Sequence, residues 1–312
     1  MVVSPIESRY KTDMNALFDE QARIDSWMEV EVALARAHAK LGDIPSAAAD
    51  EIAAGAKKVK LARVNEIEAE IHHDLMAMVK ALSEQCPKYG GFVHLGATSY
   101  DIEDTATGLT MKRAIGKIRE RLLATKAILR KLAQEKKGLV CVGRTHGQHA
   151  VPTTYGLKFA IYYQEALRNL KRLEFAEQAI SVGKMAGATG TMATFGGKGR
   201  KIQALVMSDL GVKAAEASNQ VVQRDRHAQV MFVLALIAAS LEKIAKELRN
   251  LQRNEIQEVA EPFSAKQVGS STMPQKRNPH KCERVCSLAR LVRANVAVAI
   301  RKFWPAGSTG NP

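Results

Sequence analysis

The feature that most constrains this sequence is a stretch without proline or glycine, residues 222–260. Within it, hydrophobic residues recur at alternating spacings of four and three: Val230, Leu234, Ile237, Leu241, Ile244, Leu248 and Leu251. Such spacing places a narrow apolar stripe along one side of an α-helix, as in coiled coils and helical bundles. As one helix the stretch would be about 58 Å long, and so long a helix needs neighbours to cover its stripe.

Two further segments have helical periodicity. Residues 155–180 are the less regular of the two, and the other has the same heptad repeat, with Met111, Ile115, Ile118, Leu122, Leu129 and Leu132. Aromatic residues make up only 5% of the chain, which favours helix over sheet. The sequence therefore predicts an all-α fold, a bundle of long helices whose stripe leaves room for helices from other subunits.

The first hundred residues differ from the rest of the chain. A glycine-bearing stretch at 89–96 follows three shorter helical patterns, at 14–41, 47–60 and 64–82. We therefore predict a small N-terminal helical domain at 1–104 and a central long-helix bundle domain at 105–301. Residues 302–312 form a tail with the composition of a loop.

The charge balance limits the kinds of partner that the protein could bind. Lys plus Arg number 46 and Asp plus Glu 32, giving a net charge of +14. This fits a solvated basic surface or attraction of a polyanion, either nucleic acid or a small substrate with several negative charges. The basic residues are scattered along helical stretches without interleaved aromatics, which argues against nucleic acid.

Cysteine usage and hydropathy indicate the compartment. The cysteines form no Cys-x-x-Cys pair, which indicates reduced thiols in the cytosol: Cys86, Cys141, Cys282 and Cys286. Residues 1–10 have no apolar core of a signal peptide, and the longest strongly apolar run, 230–239, is too short to span a bilayer. The sequence thus predicts a cytoplasmic protein with no membrane partner.

Polar residues cluster in three loops, each of which precedes a helical segment: HLGATSYD at 94–101, GRTHGQH at 143–149 and GSSTMPQKRNP at 269–279. Backbone N–H groups at helix N-termini hold anions. In the third loop, Lys276 and Asn278 offer a cation and an amide to a carboxylate. Ser270 would act as a base only if nearby cations stabilised its alkoxide; the alternative is an ordinary Gly/Ser loop.

The histidines do not have the spacing of a metal site. No His-Glu-x-x-His arrangement occurs, and the adjacent His72 and His73 would point to different sides of one helix. We therefore expect no metal site. His146 and His149 lie in a turn-like segment ahead of a helix, which makes one of them a candidate general acid.

The three loops resemble the active-site regions of the fumarase/aspartase superfamily, whose members eliminate fumarate from succinyl-type substrates. Within the superfamily, the chain resembles the adenylosuccinate lyase family at four places: Ser8-Arg9-Tyr10, His72-His73-Asp74, Gln220 to His227, and Thr145-His146. Gln275 also occurs in argininosuccinate lyases, so that family is the nearest alternative. The resemblance runs from Ser4 to about Ile300.

This resemblance implies a homotetrameric enzyme that eliminates fumarate from adenylosuccinate to give AMP, and from the succinyl-carboxamide ribotide SAICAR to give AICAR. Ser270 would be the base, His146 the acid, and Glu283 the partner that orients His146. Each active site would draw its loops from three subunits. Residues implied to bind the anionic nucleotide substrate are Arg9, Tyr10, His72, His73, Asp74, His94, Thr98, Ser99, Thr145, Gln220, Ser271, Met273, Lys276, Arg277 and Asn278.

The sequence departs from the family after Trp304, where residues 305–312 match none of its expected C-terminal segments. We therefore expect a truncated or frameshifted chain, with the C-terminal part missing, weak phosphate binding and little activity. Two non-enzyme alternatives share the heptads or the charge: a basic helical scaffold and a nucleic-acid-binding protein with salt-sensitive affinity. Neither would need the GSSTMPQKRNP loop.

Overall fold

The computed structural model describes residues 9–264 and 266–303. These residues form two compact units, one of 9–117 and 177–224 and the other of 118–176 and 225–303. The structure is mostly helical, which confirms the predicted bundle of helices, and it adds two small two-stranded sheets. The predicted domain boundary between 104 and 105 stays a prediction.

The first unit contains four short helices, the start of a long one, and a later helix with a parallel strand pair. Their bounds are α1 Glu20–Lys40, α2 Ser46–Ala56, α3 Leu61–Ile71, α4 Asp74–Glu84, the N-terminal half of α5 Ser99–Glu135, α7 Gly199–Leu210, β3 Val182–Gly183 and β4 Lys213–Ala214. The core of this unit is fully buried and built largely from Ile24, Leu34, Ile52, Leu75, Met78, Leu82, Ile102 and Met185. These helices therefore pack their apolar faces on one another, as their periodicity predicts.

The predicted helix at 64–82 is interrupted at two histidines. His72 ends α3 in the left-handed conformation, with φ 52°, and His73 caps α4 by accepting a hydrogen bond from the Met76 amide at 3.4 Å. The expectation that His72 and His73 point to opposite sides of one helix is therefore wrong. The break places both histidines and Asp74 at a helix N-terminus, where donors face outward.

A fully buried ion pair joins the start of α5 to the chain that follows β3. Asp101 and Lys184 are each 0% exposed, and the Lys184 ammonium lies 2.5 Å from Asp101 Oδ1. The same carboxylate accepts hydrogen bonds from the amides of Thr98, Ala186 and Gly187 at 2.9–3.0 Å. Two charges can be buried only when they are paired and hydrogen-bonded in this way, because the free-energy cost of removing them from water otherwise exceeds their mutual attraction.

The second unit contains the long helices and a hairpin. It consists of the C-terminal half of α5, β1 Val140–Thr145, β2 Gln148–Thr154, α6 Tyr155–Ile180, α8 Asp225–Leu251 and α9 His280–Phe303. The Asn169 amide donates to Ser240 Oγ at 2.8 Å, and that hydroxyl donates to Glu165 at 2.8 Å, so polar contacts link α6 to α8. Ala245 of α8 packs against Cys282 and Cys286 of α9.

The proline-free stretch 222–260 is not one helix. α8 ends at Leu251 after 27 residues, about 40 Å, and the next residues fold back so that the Glu258 amide donates to the Leu251 carbonyl at 2.9 Å. Gln257 adopts a positive φ of 51° in this turn. The helix ends at Leu251, the last residue of the predicted apolar stripe, where the chain turns back on itself.

By length and hydropathy, α8 is the one described helix that reaches the range of a membrane span. One carboxylate of this helix, Glu242, is however only 2% exposed, and it pairs with Lys246 at 3.0 Å and with Arg293 of α9. A carboxylate paired with a neighbouring helix is typical of the core helix of a bundle.

The segment predicted as a turn ahead of a helix is an antiparallel β-hairpin. Its two-residue loop is His146-Gly147, and both residues have positive φ, 53° and 78°, as a type I′ turn requires. The register shifts between Val142 and Arg144, which marks a bulge at Gly143. A side chain at Gly143 would clash with the Val151 carbonyl, so only glycine fits there.

We predict that Asp101→Asn lowers the free energy of unfolding by about 3–5 kcal/mol, because it leaves the Lys184 ammonium buried without a counter-charge. Chemical denaturation followed by circular dichroism measures the loss. Asp209→Asn is the control, since the Arg36–Asp209 pair is exposed by 57% and 40% and contributes about 1 kcal/mol or less. Equal losses in the two variants would contradict the role assigned to the buried pair.

Candidate functional site

In the first unit, Thr98 and Ser99 occupy the start of α5. The Thr98 amide donates to Asp101 Oδ2 at 3.0 Å, and the Asp101 amide donates back to the Thr98 carbonyl at 2.9 Å. This reciprocal pair caps the helix and leaves both hydroxyl side chains half-buried. Two hydroxyls at a helix N-terminus suit a carboxylate or phosphate oxygen.

His94 precedes this helix start and contacts the Glu31 carboxylate through both its backbone and its ring. Its backbone has a positive φ of 64°, its amide donates to Glu31 Oε2 at 3.0 Å, and its Nδ1 lies 2.6 Å from Glu31 Oε1. Burial acts to lower the pKa of the ring, but the hydrogen bond and charge of Glu31, aided by the charge of Asp101, raise it above its ordinary value. The raised pKa and the short contact therefore favour a proton on Nδ1, the nitrogen that faces Glu31.

The helix break at His72-His73-Asp74 places its side chains at an accessible edge. His72 and His73 are exposed, and Asp74 is half-buried with Oδ2 3.6 Å from Arg23. Arg9 is exposed and Tyr10 is half-buried at the beginning of the described chain, while Ser8 lies outside the described residues.

The segment that carries Gln220 is tied to α5. The Val222 amide and the Arg224 guanidinium donate to the two oxygens of Asp104, each at 2.7 Å. Arg224 also lies over the ring of Tyr100, 5.8 Å from its centroid. Gln220 is half-buried, two residues before this anchor.

Glu103 was not singled out from the sequence, and the fold places it among charged residues of the first unit. Burial, followed by the charges of Asp74 and Asp104, raises the pKa of this carboxyl to about 7, against the opposing charges of Arg23 and Arg224. The unit thus brings the start of α4, the first turns of α5 and the Arg224 segment together. The only advance signal was spacing, since Glu103 follows Ser99 by one helical turn.

In the second unit, residues 269–278 form a closed loop. The Asn278 amide donates to the Gly269 carbonyl at 3.0 Å, and a side chain at Gly269 would clash with the Lys276 carbonyl. Ser270 Oγ accepts hydrogen bonds from the Met273 amide at 3.2 Å and the Thr272 amide at 3.4 Å. One N–H of the Asn278 side chain thus closes the loop. The two amides that donate to Ser270 Oγ favour the ionised form of that hydroxyl.

The loop borders an open cleft of about 1250 Å³ between the ends of α8 and α9. Met273, Lys276, Arg277, Asn278 and Glu283 line it on one side. Its lining also includes three further cations, Lys246, Arg249 and Arg253, together with the carboxylates Glu255 and Glu258. Within the described part of the chain, the exposed Lys276 has no ion-pair partner, which leaves its ammonium available to a bound anion.

The hairpin holds Thr145 and His146 at its tip, where both are exposed. Glu283 lies in the first turn of α9, where its Oε2 is 3.9 Å from Nδ1 of His280. Within this unit, therefore, Glu283 neighbours His280 and is not paired with His146. The implied pairing of Glu283 with His146 stays a prediction.

Comparison with known proteins identifies a family and several related enzymes. A profile of the family described as Lyase matches residues 8–294. The adenylosuccinate lyase of Pyrococcus abyssi is 54% identical over 303 residues, covering 96% of this chain and 67% of the relative. That of Methanothermobacter thermautotrophicus is 48% identical over 305 residues, covering 96% and 68%. The chain thus spans about two thirds of the length of these relatives.

Solved structures agree with the sequence relatives. A fumarate lyase from Mesorhizobium sp. BNC1 has a TM-score of 0.85 at 31% identity, covering 96% of this chain and 67% of that one. The 3-carboxy-cis,cis-muconate lactonizing enzyme from Pseudomonas putida has a TM-score of 0.88 at 30% identity, covering 96% and 68%.

We predict that Glu103→Gln raises the melting temperature at pH 8 but not at pH 4. The folded carboxyl has a pKa of about 7 against an ordinary 4.5, so the folded state resists ionisation. Wild-type stability therefore falls as pH rises from 4.5 to about 7, and glutamine removes that penalty. Melting curves at several pH values measure this, with the exposed Glu70→Gln as control. A pH-independent difference would contradict the raised pKa.

Proposed function

The chain belongs to the adenylosuccinate lyase family, and from that membership we propose that it eliminates fumarate from adenylosuccinate to leave AMP, with Ser270 as base and His146 as acid. The assignment of the chain to this family of carbon–nitrogen lyases from its loops is confirmed. The observation that carries the proposal is the cationic cleft beside the closed loop that holds Ser270. A substrate with one phosphate and two carboxylates matches such a cleft.

The proposed first step removes a proton from the succinyl carbon next to a carboxylate. Ser270 Oγ takes the proton, and the electrons of the C–H bond move into that carboxylate as an aci-carboxylate. The amides of Thr272 and Met273 stabilise the ionised serine, since each already donates to Ser270 Oγ. Lys276 supplies a cation to the developing dianion.

The proposed second step breaks the bond between carbon and N6. The electron pair of the carbanion forms the double bond of fumarate, and N6 leaves with the pair of the broken bond. His146 donates the proton that N6 needs, and Glu283 orients that imidazole. An acid and a base on opposite sides of the bond suit an anti elimination, and no cofactor takes part.

The remaining residues bind the substrate in this proposal. Thr98 and Ser99 hold a carboxylate at the start of α5, and Gln220 contacts the succinyl part. Thr145, Ser271, Met273, Arg277 and Asn278 line the reacting end. The nucleotide lies against Arg9, Tyr10, His72, His73, Asp74 and His94. We propose that the same residues accept SAICAR, because it carries the same succinyl group on a phosphorylated ribotide.

We further propose that the active enzyme is a cytoplasmic homotetramer whose sites combine loops from different subunits. Several large apolar side chains of the long helices are more than half exposed in the single chain: Ile128, Leu157, Ile161, Phe175, Phe232, Val298 and Ile300. Exposed large apolar side chains on long bundle helices are typical of positions that a neighbouring subunit covers. The separation of Glu283 from His146 also supports completion of the site by another copy.

The test is a spectrophotometric assay of fumarate release from adenylosuccinate. Because the chain spans two thirds of its relatives, we would assay it in parallel with a version extended by the remaining third of the Pyrococcus abyssi enzyme. Ser270→Ala should lower kcat by about 10²–10⁴-fold, since it removes the proton acceptor. Release from argininosuccinate instead, or from neither substrate by either protein, would overturn the proposal.

We predict that Gly269→Ala lowers kcat by about 10²-fold, because the added methyl clashes with the Lys276 carbonyl and displaces Ser270. Gly116→Ala is the matched control. Its new methyl meets nothing within 4 Å in α5, so activity stays unchanged and stability rises by about 0.5–1 kcal/mol. Equal activity of the two variants would show that closure of the loop does not matter.

A further inference from the structure

Three segments meet at one carboxylate near the base of the hairpin. Glu258, which follows α8, pairs through Oε1 with the guanidinium of Arg144 on β1. Its Oε2 accepts a hydrogen bond from the hydroxyl of Tyr155, the first residue of α6, at 2.8 Å. All three residues are at least four-fifths buried, and Arg144 and Glu258 also border open clefts. We call Arg144, Tyr155 and Glu258 the carboxylate clamp.

Each member of the clamp is itself fixed by the backbone. Arg144 follows the bulge at Gly143, two residues before His146 at the hairpin tip. The Tyr155 amide donates to the Leu139 carbonyl at 3.0 Å, which closes the base of the hairpin. Glu258 donates its amide to the Leu251 carbonyl at the end of α8. The clamp therefore links three residues whose backbones are each held by strand pairing or by a hydrogen bond.

The pKa shifts of Glu258 and Tyr155 are consistent with these contacts. The hydrogen bond and charge of Arg144, with the hydrogen bond from Tyr155, hold the pKa of Glu258 below its ordinary value. Burial and the same carboxylate raise the pKa of Tyr155. The pair is thus ionised and the phenol neutral at physiological pH, which is the protonation state that the contacts require.

The segment that carries Glu258 also supports the loop of Ser270. Glu261, three residues later, accepts hydrogen bonds from the amides of Cys282 at 2.7 Å and Lys281 at 3.2 Å, at the start of α9. Gln252 accepts from the Glu261 amide at 2.9 Å and donates to the Arg277 carbonyl at 3.1 Å. Within residues 252–261, Glu258 thus contacts the hairpin, Glu261 the start of α9, and Gln252 the Ser270 loop through the Arg277 carbonyl.

We propose that Glu258 is a positioning residue that sets the height and direction of the hairpin and hence the place of the His146 imidazole. This inference rests on the proposed role of His146 as the acid. A type I′ hairpin of two strands is marginally stable by itself, so its tip needs an external anchor. A general acid displaced by 1 Å loses much of its effect, although substrate binding elsewhere is untouched.

The test compares Glu258→Gln with Glu135→Gln in the full chain. Glu135 is a half-exposed carboxylate near the same hairpin, whose Oε1 lies 3.8 Å from Lys131 on its own helix. Hydrogen exchange of amides in 140–154, the melting temperature, and kcat and KM for adenylosuccinate are measured. Kinetics use the extended protein described above if the chain alone is too slow.

For Glu258→Gln we expect exchange in 140–154 about tenfold faster, kcat about tenfold lower and KM like that of the control. The melting temperature should fall slightly, because Arg144 loses its counter-charge. For Tyr155→Phe, which removes one contact only, exchange and kcat should lie between those of Glu258→Gln and Glu135→Gln. Unchanged hairpin exchange would overturn the inference whatever the activity. An equal rise in exchange throughout the second unit would also overturn it, since Glu258 would then be merely structural. If wild type has no lyase activity, the proposed function fails, and exchange alone decides the clamp.

Discussion

The interaction on which the first unit depends is the buried contact of Asp101 with Lys184. The two residues are 83 positions apart, yet one carboxylate neutralises the ammonium and accepts three backbone amides. Its Oδ2 caps α5, so the same group that satisfies the buried lysine also places Thr98 and Ser99 at a helix start. Fold and candidate site are therefore held by one electrostatic network.

The second unit uses a different principle. Its long helices bury apolar stripes, and the proposed acid and base lie in the connections at their ends, where backbone groups are not used by the helices. The Ser270 loop is closed by Gly269 and Asn278, and the hairpin is held by the clamp around Glu258. Helices thus fix the positions of the short polar loops that we propose carry Ser270 and His146 as base and acid.

The cationic cleft and the half-buried Glu103 show how charge is distributed between the units. Five cations and three carboxylates line the cleft beside the Ser270 loop, whereas two carboxylates and two arginines act on Glu103 in the first unit. Part of the net charge of +14 therefore lines the place proposed for an anionic substrate. Glu103 is held near its uncharged form by neighbouring carboxylates and burial, which makes it sensitive to pH in the neutral range.

The sequence by itself determined the helical class, the segment 155–180 that coincides with α6, and the family, because periodicity and contiguous motifs are local properties of the chain. It did not determine that α8 ends at Leu251, that His72 and His73 separate two helices, or that His146 sits on a hairpin, since local pattern did not distinguish these from helix and turn. Only the tertiary structure decided that Asp101 meets Lys184, that burial raises the pKa of Glu103 and that Glu258 holds Arg144. Those contacts join residues far apart in sequence, and their strength comes from exclusion of water, which exists only once the chain has folded.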